Sequence, residues 1–115
     1  MEATKLVRVV AIGETRATSD REVTLLSLEL YDDALRLVWR VRFLNAEAER
    51  GTAIRDKPEV ADDKSTRYNL MGVGGNSGGS NDLWWAGAEL SPAVPDDARQ
   101  LTVEIGSLRF DVPLQ

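Results

Sequence analysis

Apolar and polar residues alternate one by one along the middle of the first half of the chain. Apolar residues occupy every odd position from 35 to 43, and arginine occupies three of the four even positions. Successive side chains of a β-strand point to opposite faces, so this pattern predicts a strand with one buried face and one arginine-rich face. Leucines at positions 26, 28 and 30 predict a second strand just before it.

A tight turn is predicted between these two strands, at Asp32 and Asp33. Aspartate favours turns because its side chain accepts hydrogen bonds from nearby backbone N–H groups. A two-residue turn pairs Leu30 with Leu35 and leaves both on the buried face, so turn and pattern agree on one register.

Five further segments carry a strand-like pattern, so the predicted total is about seven strands. No segment has the pattern of a full-length helix. We therefore expect an all-β fold, an antiparallel β-sandwich in one domain spanning residues 1–115. The five segments are 5–12, 65–71, 83–90, 101–105 and 108–114.

The connections between the predicted strands are polar. Residues 45–58 form a charged connection, and glycine, asparagine and serine dominate 72–81, which predicts a flexible loop. Residues 95–99 begin with proline and two aspartates, which favours at most one short helical turn.

The predicted core consists of the apolar residues on one face of four segments. These residues are Leu28, Leu30, Leu37, Trp39, Val41, Leu101, Val103, Leu108 and Phe110.

Composition excludes several classes of chemistry. The chain has neither histidine nor cysteine, which removes the usual nucleophile–base pairs, disulfides and soft metal sites. We expect no cofactor, no metal and no catalytic residue. The net charge of -5 argues against nucleic acid as a partner, since phosphate binding needs a basic surface. No signal peptide or membrane-spanning pattern occurs, so the default expectation is a cytoplasmic protein without membrane insertion, unless the sequence is a piece of a longer secreted protein.

Four features resemble the immunoglobulin-like β-sandwich domains of unknown function found in bacterial, chiefly actinobacterial, proteins. They are the long hairpin at 23–43, the aspartate–turn–tyrosine segment at 60–68, the glycine-rich stretch before Trp84 and Trp85, and the polar turn entering a strand at 95–103. Ser65 departs from the pattern, since these domains usually have glycine there. The resemblance implies a fold and a bacterial origin, but no activity.

Three kinds of candidate chemistry have simpler explanations. The glycine-rich stretch lacks the Lys–Ser/Thr pair and following helix of a phosphate-binding loop. The aspartate pairs at 32–33, 62–63 and 96–97 could bind calcium, but they lack the dense spacing of a calcium loop and fit turns better. Asp62 or Asp63 could act with Asp82 or Glu89 as paired glycosidase carboxylates, although nothing in the sequence brings them together.

Trp84 and Trp85 are the most informative neighbours in the sequence. On a strand they must face opposite sides, and Trp84 shares its side with Ala86, Ala88 and Leu90. Trp85 therefore shares the other side with Glu89. An exposed tryptophan is typical of a contact site, although the glycine-rich stretch or the first strand could instead cover it. The predicted contact surface is Trp85, Glu89, Asn76 and Asn81.

The arginines at positions 36, 40 and 42 form a stripe on one strand. They could bind an acidic partner, but a solvated face with cross-strand pairs to Glu29 and Ser27 is the simpler explanation. The leading hypothesis is a non-catalytic binding or structural module of a bacterial protein, acting through contact with a protein partner or a second copy. The alternative is a carbohydrate-binding module that uses Trp85.

Overall fold

The computed structural model describes residues 5–44, 56–77 and 82–114. Within these ranges the chain forms eight β-strands and no helix. The strands are β1 (Leu6–Ala17), β2 (Arg21–Tyr31), β3 (Leu35–Phe43), β4 (Pro58–Asp62), β5 (Asn69–Ser77), β6 (Leu83–Ser91), β7 (Gln100–Ile105) and β8 (Leu108–Pro113).

Two antiparallel sheets pack face to face as a β-sandwich, which confirms the predicted fold class. The larger sheet has the order β1-β2-β3-β6-β5, and the smaller has the order β4-β7-β8. Strand β3 is therefore the central strand of the larger sheet, while β1 and β5 are its edges. No helix in the described ranges is long and apolar enough to cross a membrane.

The core lies between the inner faces of the two sheets. On β3 the odd-numbered residues are all buried, as the alternation predicts, and β7 and β8 alternate in the same way. Leu30 and Leu108 are only partly buried, and they pack against the core from its margin. The other predicted core residues are buried: Leu28, Leu37, Trp39, Val41, Leu101, Val103 and Phe110.

The β2–β3 hairpin has the predicted turn, but β2 departs from a simple alternation. Leu30 pairs with Leu35, which confirms the register. A bulge between Leu25 and Ser27 inserts one extra residue, so the inward-facing phase of β2 changes there. Leu25 is consequently buried and Leu26 is only half-buried, which corrects the prediction that leucines 26, 28 and 30 share one face.

One strand was not predicted and another is displaced along the sequence. Strand β4 occupies Pro58–Asp62, where the pattern suggested only the end of a connection and a turn. Only two of its inward residues, Pro58 and Val60, are apolar, too few to give a clear alternation. The rest of that connection, residues 45–55, lies outside the described residues.

The prediction of a flexible loop over 72–81 is wrong for residues 72–77, which belong to β5 and pair with β6. The predicted strand at 65–71 is correspondingly wrong over its first half, since 65–68 precede β5. A strand needs only backbone N–H and C=O groups to form its ladder, so glycines can pair even though their composition suggests a loop. Residues 78–81 lie outside the described residues.

Short polar contacts complete the sandwich. At 95–99, where at most one helical turn was predicted, the chain forms a β-turn and no helical turn, and Ala98 N donates to Pro95 O at 3.0 Å. Arg21, on the larger sheet, forms an ion pair of 3.1 Å with Asp56, just before β4 of the smaller sheet. Burial raises the pKa of Asp56 and outweighs the opposing effect of the Arg21 charge. The pair nevertheless links the two sheets at one end of the sandwich.

Replacing Trp39 should test whether the inner face of β3 anchors the core. Trp39 is 1% exposed, and its Nε1 has no hydrogen-bond partner among the described residues. Trp39→Ala should lower the free energy of unfolding by about 3–5 kcal/mol, because a large buried ring is lost and a cavity is left. Arg42→Ala, on the exposed face of the same strand, is the control and should cost about 1 kcal/mol or less. Similar losses in urea unfolding for both variants would contradict this assignment.

Candidate functional site

The outer face of the larger sheet carries a row of small side chains that crosses all five strands. The row follows from the pairing of adjacent strands, in which each member lies opposite the next. The members, from β1 to β5, are Ala11, Ser27, Val38, Gly87 and Gly74. Larger side chains flank this row on both sides, so the face has a shallow trough across it.

At its β5 side the trough forms a cavity of about 560 Å³. Gly87 and Gly74 lie opposite each other and, with Val38, form the floor. An added Cβ at Gly72 or Gly74 would meet no atom within 4 Å. The space above Gly72 and Gly74 is therefore open, and the trough reaches the edge of the sheet.

Trp85 forms one wall of this cavity. It pairs with Arg40 on β3 and with Asn76 on β5, so the three side chains make one row. The Arg40 guanidinium carbon lies 5.6 Å from the ring centroid, which is cation–π geometry. Trp85 remains 37% exposed, in agreement with the predicted orientation. The ring is thus held by Arg40 yet still available for contact.

Charged side chains form the opposite wall. Arg36 lies between Glu29 on β2 and Glu89 on β6 in the strand register. Glu29 is 3.9 Å from the Arg36 guanidinium and accepts a hydrogen bond of 2.8 Å from Tyr31. The pKa of the Tyr31 hydroxyl is raised, mainly by this hydrogen bond to Glu29 and secondly by burial. The wall is therefore a short alternating line of carboxylates and a guanidinium.

Trp84 explains why glycine occurs on the inner side of β5. Trp84 points inward and packs against the core. A Cβ at Gly75 would lie 2.8 Å from Trp84 Nε1 and 2.4 Å from the Trp85 carbonyl oxygen. Any side chain at Gly75 would push β5 away from β6, so glycine at this position keeps the β5 edge of the trough in place.

A turn before β5 sets where that strand begins. Asp62 Oδ1 accepts hydrogen bonds from the backbone N–H groups of Lys64 and Thr66, at 2.8 and 3.1 Å. Asp62 Oδ2 accepts one of 2.7 Å from the Tyr68 hydroxyl. Ser65 takes a left-handed conformation with φ of 59°, which is uncommon for a residue other than glycine. One carboxylate therefore holds a seven-residue turn.

The pKa values of this turn reflect its hydrogen bonds. Burial alone would raise the pKa of Asp62, but the bonds it accepts from Thr66, Tyr68 and Lys64 outweigh burial and lower it. Burial and the bond to Asp62 both raise the pKa of Tyr68. The charged form of Asp62 and the neutral form of Tyr68 are thus the partners that stabilise the turn.

The structure brings together three of the four predicted contact residues. Trp85 and Asn76 form a pair on adjacent strands, and Glu89 lies four residues further along β6 on the same face. Asn81 lies outside the described residues. The sequence analysis treated Arg40 as part of a separate arginine stripe and did not place it beside Trp85, and it did not predict the open space at Gly74. The sequence does show that Arg40 lies on the same face of its strand as Arg36 and Arg42. Its pairing with Trp85 depends on the strand order, which the sequence does not give.

The aspartate pairs mostly serve turns and connections. Asp32 Oδ1 accepts a hydrogen bond from Lys5 N, and Asp63 Oδ1 accepts one from Arg99 N. Asp97 forms an ion pair of 3.3 Å with Lys64. No group of three acidic residues that could hold a metal ion occurs in ranges 5–44, 56–77 and 82–114.

The candidate glycosidase carboxylates do not share the trough. Glu89 lines it, whereas Asp62, Asp63 and Asp82 do not. Asp62 ends a strand of the smaller sheet, and both of its oxygens already accept hydrogen bonds within its own turn. The geometry therefore offers no pair of carboxylates facing each other across this cavity.

Comparison of the chain with protein-family models, curated proteins and solved structures found no match. The fold and the site together define the protein as a β-sandwich with an open trough across the outer face of its larger sheet.

Adjacent glycines of β5 should respond differently to the same substitution. Gly74→Ala should leave the free energy of unfolding unchanged or raise it by about 0.5–1 kcal/mol, because the space is open and alanine restricts the unfolded chain. Gly75→Ala should lower it by about 1–3 kcal/mol, because the new methyl group overlaps Trp84 and the backbone of Trp85. Chemical unfolding of both variants measures the difference, and equal effects would contradict the close approach at Gly75.

Acid should weaken the contribution of Asp62 to stability. Its pKa in the folded protein lies below the ordinary value of 3.8, so the stabilisation is present above that pH and is lost as the pH falls through the folded value. Asp62→Asn should therefore cost about 1.5–3 kcal/mol near neutral pH, since a charged acceptor is lost, and less at pH values well below 3.8.

Unfolding curves of wild type and Asp62→Asn across the acid range measure this dependence. Asp63→Asn is the matched control, since Asp63 accepts a single backbone hydrogen bond and lies outside the turn's main network. A cost for Asp62→Asn that does not change with pH would disagree with the proposed role of the carboxylate charge.

Proposed function

We propose that the protein is a non-catalytic binding module that acts through protein–protein contact at the trough around Trp85. The observation that carries this proposal is the exposed ring of Trp85, held by Arg40 beside a floor of Val38 and two glycines that is open at Gly74. Tryptophan and arginine are the residues most enriched among the energetically dominant contacts of protein interfaces. A partner side chain entering the cavity would meet both.

The layout of the trough supports a protein partner. An apolar centre with a polar rim is the usual anatomy of an interface, and here Val38 and Trp85 lie beside the rim residues Arg36, Glu89 and Asn76. Arg40 restrains the ring before any partner arrives, which lowers the entropic cost of ordering it on binding. The bacterial origin implied by the family resemblance belongs to the same proposal.

Carbohydrate binding is the second candidate, and one specific observation favours it. Trp85 stands in a row with the Asn76 amide and the Arg40 guanidinium, and it faces Glu89 and Arg36 across the floor. A sugar needs an aromatic ring for its apolar face and polar groups for its hydroxyls. An open trough would admit a glycan chain.

Replacing each of the two adjacent tryptophans with alanine should separate effects on stability from effects on binding. Trp85→Ala should lower the free energy of unfolding by less than about 1 kcal/mol, the scale of one exposed cation–π contact. Trp84→Ala should lower it by about 1.5–2.5 kcal/mol, because half-buried apolar area is lost from the core margin. Trp85→Ala should nevertheless abolish binding that Trp84→Ala retains at temperatures where it is folded.

The binding measurement uses a displayed peptide library and a glycan array, each probed in parallel with wild type and both variants. Peptides that bind wild type but not Trp85→Ala support the leading proposal. Glycans with that selectivity support the second candidate instead. If Trp85→Ala unfolds the domain as strongly as Trp84→Ala, or binds every selected ligand as wild type does, the trough is not the binding site.

A further inference from the structure

The two sheets have four edge strands, and β5 differs from the other three. Edge strands expose unpaired backbone groups, and proteins usually protect them with charges, prolines or short length. The other edges carry such protection: β1 has three charged residues and two bulges, β4 has five residues including a proline, and β8 has six residues including a proline. Strand β5 runs for nine residues, Asn69–Ser77, without a charge or a proline.

The exposed apolar side chains near β5 point to an unfilled contact. Met71 and Val73 of β5 are 64% and 42% exposed, and Trp85 lies on the neighbouring strand. Among the described residues, no strand pairs with the outer edge of β5. The edge therefore combines free backbone groups with apolar surface, beside the cavity of the trough.

The glycines of β5 make the trough open at this edge. Gly72 and Gly74 face outward, opposite Glu89 and Gly87, and neither has an atom within 4 Å of where a Cβ would lie. Neighbouring strands lie about 4.8 Å apart, so a large side chain on an added strand could lie across Gly74 and approach the Arg36 guanidinium, which lies 3.5 Å from where a Cβ of Gly87 would be. Aromatic side chains are known to cover edge glycines in this way.

A second copy of the chain does not fit this opening well. The outward residues of β5 are Gly72, Gly74 and Asn76, so pairing β5 with itself would place mainly glycine beside glycine and leave the trough empty. Two copies would also each carry a net charge of -5. A strand from a different protein can supply the large side chain that the trough lacks.

The charge of Glu89 predicts a second feature of the strand that would be added. Glu89 is exposed, lies opposite Gly72, and forms no ion pair within the described part of the chain. Gly72 has no side chain to block access from the edge, so a lysine or arginine on an added strand could extend over it to the Glu89 carboxylate. The acidic net charge of the protein also favours a positively charged partner segment.

We propose that an extended segment of a partner protein adds to the edge of β5 as an antiparallel strand, with a large aromatic residue beside Gly74 and a basic residue beside Gly72. This inference rests on the proposed protein-binding function and specifies its partner. Antiparallel addition matches every other strand pair in the larger sheet. Backbone hydrogen bonds supply affinity in such additions, and alternate side chains supply specificity.

The probe is a synthetic capped peptide, Ser-Thr-Thr-Tyr-Thr-Lys-Thr-Thr-Ser, titrated into the full chain and followed by amide NMR. Antiparallel pairing places its tyrosine beside Gly74 and its lysine beside Gly72. We expect saturable shifts at Gly72, Gly74 and the Trp85 indole, and slower hydrogen exchange at those β5 amides that face the edge. Replacing the tyrosine with alanine should weaken binding about tenfold, and replacing the lysine with glutamate about fivefold.

Protein variants test the same geometry from the other side. Gly74→Thr should keep the melting temperature and lose binding at least tenfold, because its side chain fills the space above the floor. Ala61→Thr, a similar change on the exposed β4 edge of the other sheet, is the matched control and should bind as wild type does. Peptide N-methylated at alternate backbone nitrogens should not bind.

Three results would overturn the strand-addition proposal: no binding at millimolar peptide, binding without protection of β5 amides, or full binding by Gly74→Thr. If library-selected proteins or peptides still require Trp85 while Gly74→Thr binds them normally, only this inference fails. If neither substitution affects any ligand, the proposed function fails with it.

Discussion

Burial of one face of β3 is the constraint on which the rest of the structure depends. The odd-numbered residues of this strand lie in the core, with Trp39 at their centre, and that fixes which way each even-numbered residue points. Because β3 is the central strand of the larger sheet, its orientation sets the register of β2 on one side and β6 on the other. The trough on the outer face is thus a consequence of how the inner face packs.

The same constraint determines the charge on the outer face. Three arginines point outward from β3, yet each has an acidic residue or an aromatic ring beside it: Arg36 has Glu29, Arg42 has Asp82 at 3.7 Å, and Arg40 has Trp85. Carboxylates therefore compensate two of the three charges, while Arg40 keeps its charge over the ring. Arg40 is distinct because its neighbour is a ring and its role is to hold that ring.

Sequence alone predicted the features that depend on two-residue periodicity. The β2–β3 hairpin, its Leu30–Leu35 pair and the opposite orientations of Trp84 and Trp85 all follow from alternation, because strand geometry leaves no other choice. Periodicity carries no information where side chains are absent. Gly72 and Gly74 were therefore interpreted as loop, although the backbone ladder with β6 makes them a strand.

Other features were beyond sequence reasoning for a different reason: they depend on which distant strands become neighbours. Asn76 and Arg40 flank Trp85 only because β5 and β3 lie on either side of β6. The bulge in β2 was likewise hidden, since two adjacent leucines fit either phase of the strand and packing chose Leu25. Alternation shows on which face of its strand a residue lies, whereas the order of strands in the sheet determines which residues are its neighbours.

The three tryptophans occupy three distinct depths of the same sheet. Trp39 is 1% exposed, Trp84 is half-buried at the core margin, and Trp85 is 37% exposed. Indole emission shifts to longer wavelength as water reaches the ring, so each of the three would emit in its own spectral range. Variants that keep one tryptophan and replace the other two with phenylalanine would give the protein separate optical reporters of its centre, its margin and its trough.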